Sequence, residues 1–416
     1  LLDIFNTLGL PTSTTVSMVF ELLGGSTAIA MVKMLGDSSL TYAGLINTEK
    51  AFQVILAIFM SVAIAFIFGM IVQWIARLIF TFHYTKHLKY TIGIFGGISF
   101  TAISYFLIVK GFGKSAFMTP EMKAWIAENT HLILVAFLIG FSIIMQILHW
   151  CKVNVFKIIV LFGTFSLAMA FAGNDLVNFI GVTLAGLSSC QDFMAHPGSD
   201  PSTYLMGVLN EPAGTPIFFL VGAGAIMTIA LITSKKAQNV VKTSVDLSRQ
   251  NAGDEMFGSS RFARHLVRSV LNANEYVGAH MPQGLKNWIN SRFNQDEAII
   301  PNGAAFDLVR ASVNLVLAGL LIVVGTSLKL PLSTTYVAFM VGMGTSLVDR
   351  AWGRESAVFR VTGVISVVGG WFMTAGAAFL LCFVVALLVH FGGPIAMVIL
   401  ICLVIFMVYT NNKNYK

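Results

Sequence analysis

Asn174, Asp175 and Asn178 sit close together in an otherwise apolar run, within the stretch Ala172–Gly181 (AGNDLVNFIG). A carboxylate near a bilayer centre costs about 2.5–3.5 kcal/mol on insertion scales, so an acid placed there reads as functional. On a helix, Asn174 and Asn178 (i, i+4) and Asp175 and Asn178 (i, i+3) fall on one face. Amide oxygens, amide donors and one negative charge on that face suit Na⁺ beside an oxyanion, with Asn174, Asp175 and Asn178 as the cation's ligands. Gly173 is expected to let the helix unwind there and free backbone carbonyls for the cation. The plainer alternative is a polar cluster that ties a helix bundle together.

A second constellation occurs twice. Leu10–Thr15 (LPTSTT) and Leu330–Thr335 (LPLSTT) match at an offset of 320 residues, and Gly24 with Gly344 and Ser26 with Ser346 extend the match to seven of seventeen aligned positions. That exceeds chance even in a biased composition. Proline favours the first turn of a helix and Ser or Thr satisfies the free N–H groups there, so Pro11 and Pro331 read as helix starts. Ser13, Thr14 and Thr15, and likewise Ser333, Thr334 and Thr335, then offer hydroxyl and backbone donors at the positive end of a helix dipole. Such ends can hold an anion without Arg or Lys. For a single copy, ordinary capping with small-residue helix packing is the better reading; two copies at inverted positions favour a site.

The elements that must position these residues follow from composition. The 416 residues are 56% hydrophobic and 11% charged, with 34 Phe and a mean hydropathy of +0.81. That is too little charge to cover a soluble surface and too many apolar residues for disorder. An all-α, polytopic membrane protein remains. With about 20 apolar residues per span, segments are expected at 13–34, 51–80, 91–110, 131–149, 155–186, 215–233, 306–328, 333–348, 361–389 and 393–410. Residues 1–10 read as the tail of a helix closed by Gly9 and Pro11. The expected organisation is a membrane domain over 1–234, a cytoplasmic basic loop with amphipathic helices over 235–304, and a second membrane portion over 305–416. The chain lacks an initiator Met, so the expectation is a fragment cut at its N-terminus.

Loop charges orient the spans. Loop 235–304 carries nine Lys or Arg against six acids. Arg77, Lys86 and Lys89, and Arg350, Arg354 and Arg360, mark two further basic stretches. By contrast, 187–213 has Asp192, Asp200 and Glu211 with no Lys or Arg, and 35–50 sets Asp37 and Glu49 against Lys50. Cytoplasmic basic loops reproduce these signs; only Lys110, Lys114 and Lys123 fall awkwardly. In this topology the two LPxSTT copies enter from opposite sides, which marks an inverted-repeat secondary transporter with broken helices.

The AGNDLVN run together with twin P-x-S-T-T motifs resembles the inorganic phosphate transporter (PiT) family, whose signatures are close to G-A-N-D-V-A-N and P-I-S-T-T-H. The resemblance covers the membrane part of nearly the whole chain. It implies uptake of inorganic phosphate by symport with Na⁺ or H⁺, through alternating access around a midplane site. By position, Asn174, Asp175 and Asn178 become the second-repeat acid and amide set, and Ser13, Thr14, Thr15, Ser333, Thr334 and Thr335 the two hydroxyl clamps. Three departures stand out: Ala172-Gly173 is swapped, the terminal His is Val16 or Tyr336, and only one N-D-x-x-N occurs. The first-repeat counterpart is expected to precede Ser13, and to have been lost with the N-terminus.

Phosphate near neutral pH keeps a proton that it can donate, whereas sulfate has none, so an ionised Asp175 favours phosphate. A sulfate or other oxyanion symporter of the same architecture is the nearest alternative; an ion channel is the next. No HExxH, GxSxG or paired catalytic acids point to an enzyme. Expected partners are inorganic phosphate and the lipid bilayer of the cell inner (plasma) membrane, with a homodimer open and no nucleic acid. No cofactor is expected beyond the coupling Na⁺ or H⁺. Among lesser features, Glu21 reads equally as a proton or cation group and as a buried acid. Asp307 and Arg310 (i, i+3) read as a local ion pair. His83 and His87 have helical metal spacing but no third ligand, and Gly111–Ser115 only imitates a phosphate-binding loop. The scattered Cys151, Cys190, Cys382 and Cys402 suggest neither disulfides nor zinc.

Overall fold

A computed structural model describes residues 2–105, 119–200, 203–210, 216–250, 258–328, 330, 332–352 and 356–415. Pro331, Lys110, Lys114, Glu211, Arg354 and the Gly111–Ser115 run lie outside the described residues, as does the side chain of Lys123. The protein is an all-α, polytopic membrane protein, and no strand occurs among the described residues.

In chain order the helices are α1 (Leu2–Thr7), α2 (Thr14–Gly36), α3 (Tyr42–Leu45), α4 (Thr48–Phe80), α5 (Thr91–Tyr105), α6 (Pro120–Glu128), α7 (Thr130–Trp150) and α8 (Val155–Phe171). A π turn (Ala172–Leu176) leads into α9 (Val177–Ala195), then α10 (Ile217–Thr233), α11 (Lys235–Ser248), α12 (Arg261–His280) and α13 (Gln283–Arg292). α14 (Leu308–Ser327), α15 (Thr334–Val348) and α16 (Ser356–Tyr415) complete the fold. Every expected apolar segment contains a helix. Among the described residues, six stretches are long and apolar enough to cross a membrane: α2, α4, α7, α8 with α9, α14 and α16. α5 and α15 are apolar but shorter.

Segments 361–389 and 393–410 are two helices, as expected, which meet at a kink inside α16. Gly393 sits at φ 54° and ψ −145°, and Pro394 removes a donor just beyond it. A glycine can hold that conformation because it has no Cβ. Stretch 235–304 carries α11 to α13, the helices expected of a polar loop.

Large apolar side chains stay uncovered along the long helices. Ile217 is 72% exposed, Ile232 74%, Phe391 77% and Ile395 74%. In water such surfaces would associate; hydrocarbon chains cover them without cost.

The chain forms two compact units. One comprises Leu1–Ile55, Phe171–Val240 and Trp371–Lys416, the other Leu56–Ala170 and Val241–Gly370. In the first, α2 packs on α9, and Gly24 lies against the backbone of Phe379 in α16, where a Cβ would meet the carbonyl oxygen. In the second, Gly344 of α15 lies in the same way against the Phe66 carbonyl of α4. The two matched glycines of the sequence repeat thus share one physical duty, close backbone approach between helices. The second unit also packs α5 on α7 through Gly93, Gly96 and Gly97, and α14 on α15, where Thr345 Oγ1 donates to Asn314 Oδ1 at 2.6 Å. Phe80, Phe156, Ile92, Ile159, Met145, Val309 and Val313 fill its core.

Candidate functional site

In the first unit the chain stops abruptly before α2. Gly9, at φ 69°, follows the end of α1; its N–H bonds the Asn6 carbonyl and the Leu10 N–H bonds the Phe5 carbonyl, both at 3.1 Å. This paired closure satisfies orphan carbonyls and needs a left-handed residue. Trp371 Nε1 then donates to the Pro11 carbonyl at 2.9 Å, holding the turn. Ser13, buried and extended at φ −105° and ψ 124°, caps α2 by accepting from the Val16 N–H at 3.1 Å. Thr14 and Thr15 are therefore delivered on the first turn of α2, where unpaired N–H groups carry partial positive charge.

Facing them is the π turn. The helix does not unwind at Gly173, as expected from the sequence, but runs on continuously with one widened turn. The physical reason is that an i→i+5 turn absorbs one extra residue while keeping the backbone bonded, at lower cost than free carbonyls in an apolar setting. One extra residue offsets the following side chains by about 100°, the angle per helical residue. Three polar side chains then converge on α2. Thr14 Oγ1 donates to Asp175 Oδ1 at 2.7 Å. Asn178 Nδ2 donates to Thr15 Oγ1 at 2.9 Å, and Asn174 Nδ2 reaches the same oxygen at 3.3 Å. Asn174, Asp175 and Asn178 are half-buried, and Thr15 is buried. One carboxylate, two amides and a pair of hydroxyls from residues about 160 apart thus make one polar cluster.

In the second unit Ser333 repeats the cap. It is fully buried at φ −91° and ψ 113°, and its Oγ accepts from the Tyr336 N–H at 3.1 Å. Its carbonyl accepts from Val337 at 3.0 Å, as that of Ser13 accepts from Ser17 at 3.1 Å. Thr334 is buried and Thr335 half-buried at the start of α15. The two triplets are copies in geometry as well as in letters.

Asp307 and Arg310 do not form the local ion pair expected of them. Asp307 is the N-cap of α14: its Oδ1 accepts from the Arg310 backbone N–H at 3.1 Å, which turns the carboxylate toward the helix end. Its charge partner is Arg77, at 2.7 Å. Arg77 also binds Asp349 through Nε at 2.9 Å and Nη2 at 2.5 Å, and Gln73 Nε2 reaches both Asp349 oxygens at 2.9 and 3.0 Å. All five residues are at most 3% exposed. Nearby, burial and the Asp307 charge push the Tyr84 hydroxyl pKa above the usual phenol range.

Sequence reasoning treated Arg77 as a loop marker and passed over Gln73 and Asp349. The available signal was Gln73 and Arg77 at i, i+4 inside an apolar helix. Glu21 is half-buried on α2. His83 pairs with Thr85 at 2.8 Å, and no cluster of three metal-ligating side chains occurs among the described residues. No family model matches the chain, and neither does any curated protein or solved structure.

Proposed function

We propose that this protein is a secondary active transporter that takes up inorganic phosphate by symport with Na⁺ or H⁺, in the cell inner membrane. The observation that carries the reading is the Thr14–Asp175 hydrogen bond at 2.7 Å, set between two amides at the first turn of a capped helix. Hydroxyls and helix N–H groups supply donors for an oxyanion. Thr15 Oγ1 accepts from both Asn174 and Asn178, which leaves its own proton for the ligand.

Coupling follows from charge. A carboxylate and a phosphate charge about 4 Å apart repel by about 4 kcal/mol at an effective dielectric constant of 20. Phosphate therefore enters favourably only when a cation accompanies it, either Na⁺ between Asp175 and the amide oxygens or H⁺ on Asp175. The same carboxylate favours an anion that carries a proton to donate, hence phosphate over sulfate. The capped Ser333–Thr335 triplet supplies a matching donor set in the other repeat. The resemblance to the phosphate transporter family agrees with this chemistry.

Uptake of labelled phosphate into proteoliposomes, with and without a sodium gradient, tests it. Asp175→Asn, Thr14→Val and Thr334→Val should each abolish uptake while the purified protein stays monodisperse. Undiminished uptake in Asp175→Asn would overturn the reading, and equal competition by sulfate would replace phosphate with oxyanions in general.

A further inference from the structure

In the second unit, α12 begins beside a membrane span. The Ser260 backbone N–H donates to Thr362 Oγ1 at 3.2 Å, and Thr362 stands near the start of the long apolar run Ala357–Thr410 of α16. Ser260 also caps α12, its Oγ accepting from the Ala263 N–H at 3.1 Å. The first turns of α12 are therefore held near the depth at which α16 enters hydrocarbon. Ala263 is fully buried, so one flank of the helix rests on the protein. The neighbouring flank is bare: Phe262 is 67% and Leu266 44% exposed.

Phe262 and Leu266 (i, i+4) share one face, and Arg261, Arg264 and Arg268 (i, i+3, i+7) share another. The three arginines are exposed, and none has an ion-pair partner among the described residues. Three arginines against the single acid Glu275 give the helix a charge of 3 − 1 = +2, with its histidines neutral. An open hollow of about 480 Å³ lies where the two faces meet, lined by Arg261, Phe262, His265, Leu266 and Ser269. Room, bare apolar area and unmet positive charge thus coincide. Water solvates the guanidiniums but not the Phe and Leu side chains, and hydrocarbon does the reverse. A surface that is anionic outside and apolar just beneath meets both needs, since arginine stems reach sideways while their heads stay among polar groups.

We infer that α12 lies in the interface of the leaflet that α16 enters and docks there on anionic phospholipid, with Phe262 and Leu266 among the upper acyl chains and Arg261, Arg264 and Arg268 at the headgroup phosphates. Two features select this occupant. The Ser260–Thr362 contact makes the bare face continuous with a span that lipid already covers, and the charge complements acidic headgroups. A second copy fits less well, because a twofold contact brings two positively charged helices together. Each basic residue near an anionic leaflet strengthens binding roughly fivefold, so three arginines give about a hundredfold. This surface shares no residue with the Thr14–Asp175 cluster and goes beyond the transport reading.

Hydrogen–deuterium exchange over residues 261–280, read by mass spectrometry on the full chain in nanodiscs holding one chain each, tests this. Exchange should be at least about tenfold slower in discs containing about a third phosphatidylglycerol than in pure phosphatidylcholine discs, and high salt should narrow the gap. Arg261→Gln, Arg264→Gln and Arg268→Gln together should bring the two disc types within about twofold of each other. Depth has its own readout: Phe262→Trp should be quenched by lipids brominated on their acyl chains, beyond the quenching of the parent's own tryptophans. All four positions are exposed, so these variants leave the packed core untouched. Equal exchange in the two lipids, slowing that survives loss of the three arginines, or no added quenching in Phe262→Trp overturns the proposal. So does slowing seen only in discs that hold two chains, which assigns the face to a second copy. Slowing by inorganic phosphate in phosphatidylcholine discs overturns it too, since the arginines then answer to a free anion. None of these readouts involves uptake, so failure of the transport reading leaves this one standing, and the reverse.

Discussion

Replacing Thr14 by Val deletes one hydroxyl at nearly constant volume, so it tests the Thr14–Asp175 contact without opening a cavity. The bond spans 2.7 Å between a neutral hydroxyl and a carboxylate, both half-buried. Hydrogen bonds to charged groups contribute about 1.5–3 kcal/mol, roughly twice a neutral one. Asp175→Asn keeps an oxygen that can accept, so pairing the two substitutions isolates the part that depends on charge. That part should be about 1–1.5 kcal/mol of coupling in a double-mutant cycle, well outside the about 0.3–0.5 kcal/mol within which independent sites add. Reversible unfolding in mixed micelles, followed by tryptophan fluorescence, measures the four proteins. Thr14→Ser should restore the parental value, since the hydroxyl returns. Strict additivity of Thr14→Val and Asp175→Asn would mean the two side chains do not feel each other, and both the site geometry and the coupling argument built on it would fall.

Other expectations follow from single contacts. Gly24→Ala and Gly344→Ala drive a methyl into the carbonyls of Phe379 and Phe66, so each should cost about 1–3 kcal/mol or more in the same unfolding assay. Gly342→Ala, with open space around its Cβ, should be neutral or stabilising by up to about 1 kcal/mol. Arg77→Met strands the Asp307 and Asp349 carboxylates in a buried setting and should cost about 3–5 kcal/mol, with Asp349→Asn recovering part of the loss. Gly393→Ala forces a Cβ into a backbone region reserved for glycine, at about 1–3 kcal/mol, visible as a lower unfolding midpoint.

What could be read from the chain alone divides along a physical line. Span positions were legible because a backbone in hydrocarbon must close its own hydrogen bonds, which forces long apolar helices. Caps were legible because they are local: Ser13 and Ser333 bond an N–H three residues on, and Gly9 closes α1 within a turn. The repeat paired Gly24 with Gly344 by letter only; that both stand at a close backbone approach is seen in the fold. Of the π turn only the place was legible, through Gly173; its form was not, because one extra residue in a helix changes neither composition nor hydropathy. Arg77 was misread for a related reason. Its partners Asp307 and Asp349 stand 230 and 272 residues away, and burial rather than spacing joins them. Asp175 sits between these cases. An acid in an apolar run announces that it must be paired, yet only the fold selects Thr14, from 161 residues away. A low-dielectric surrounding thus makes the need for a partner readable at every buried charge, while the partner's identity is a property of chain topology.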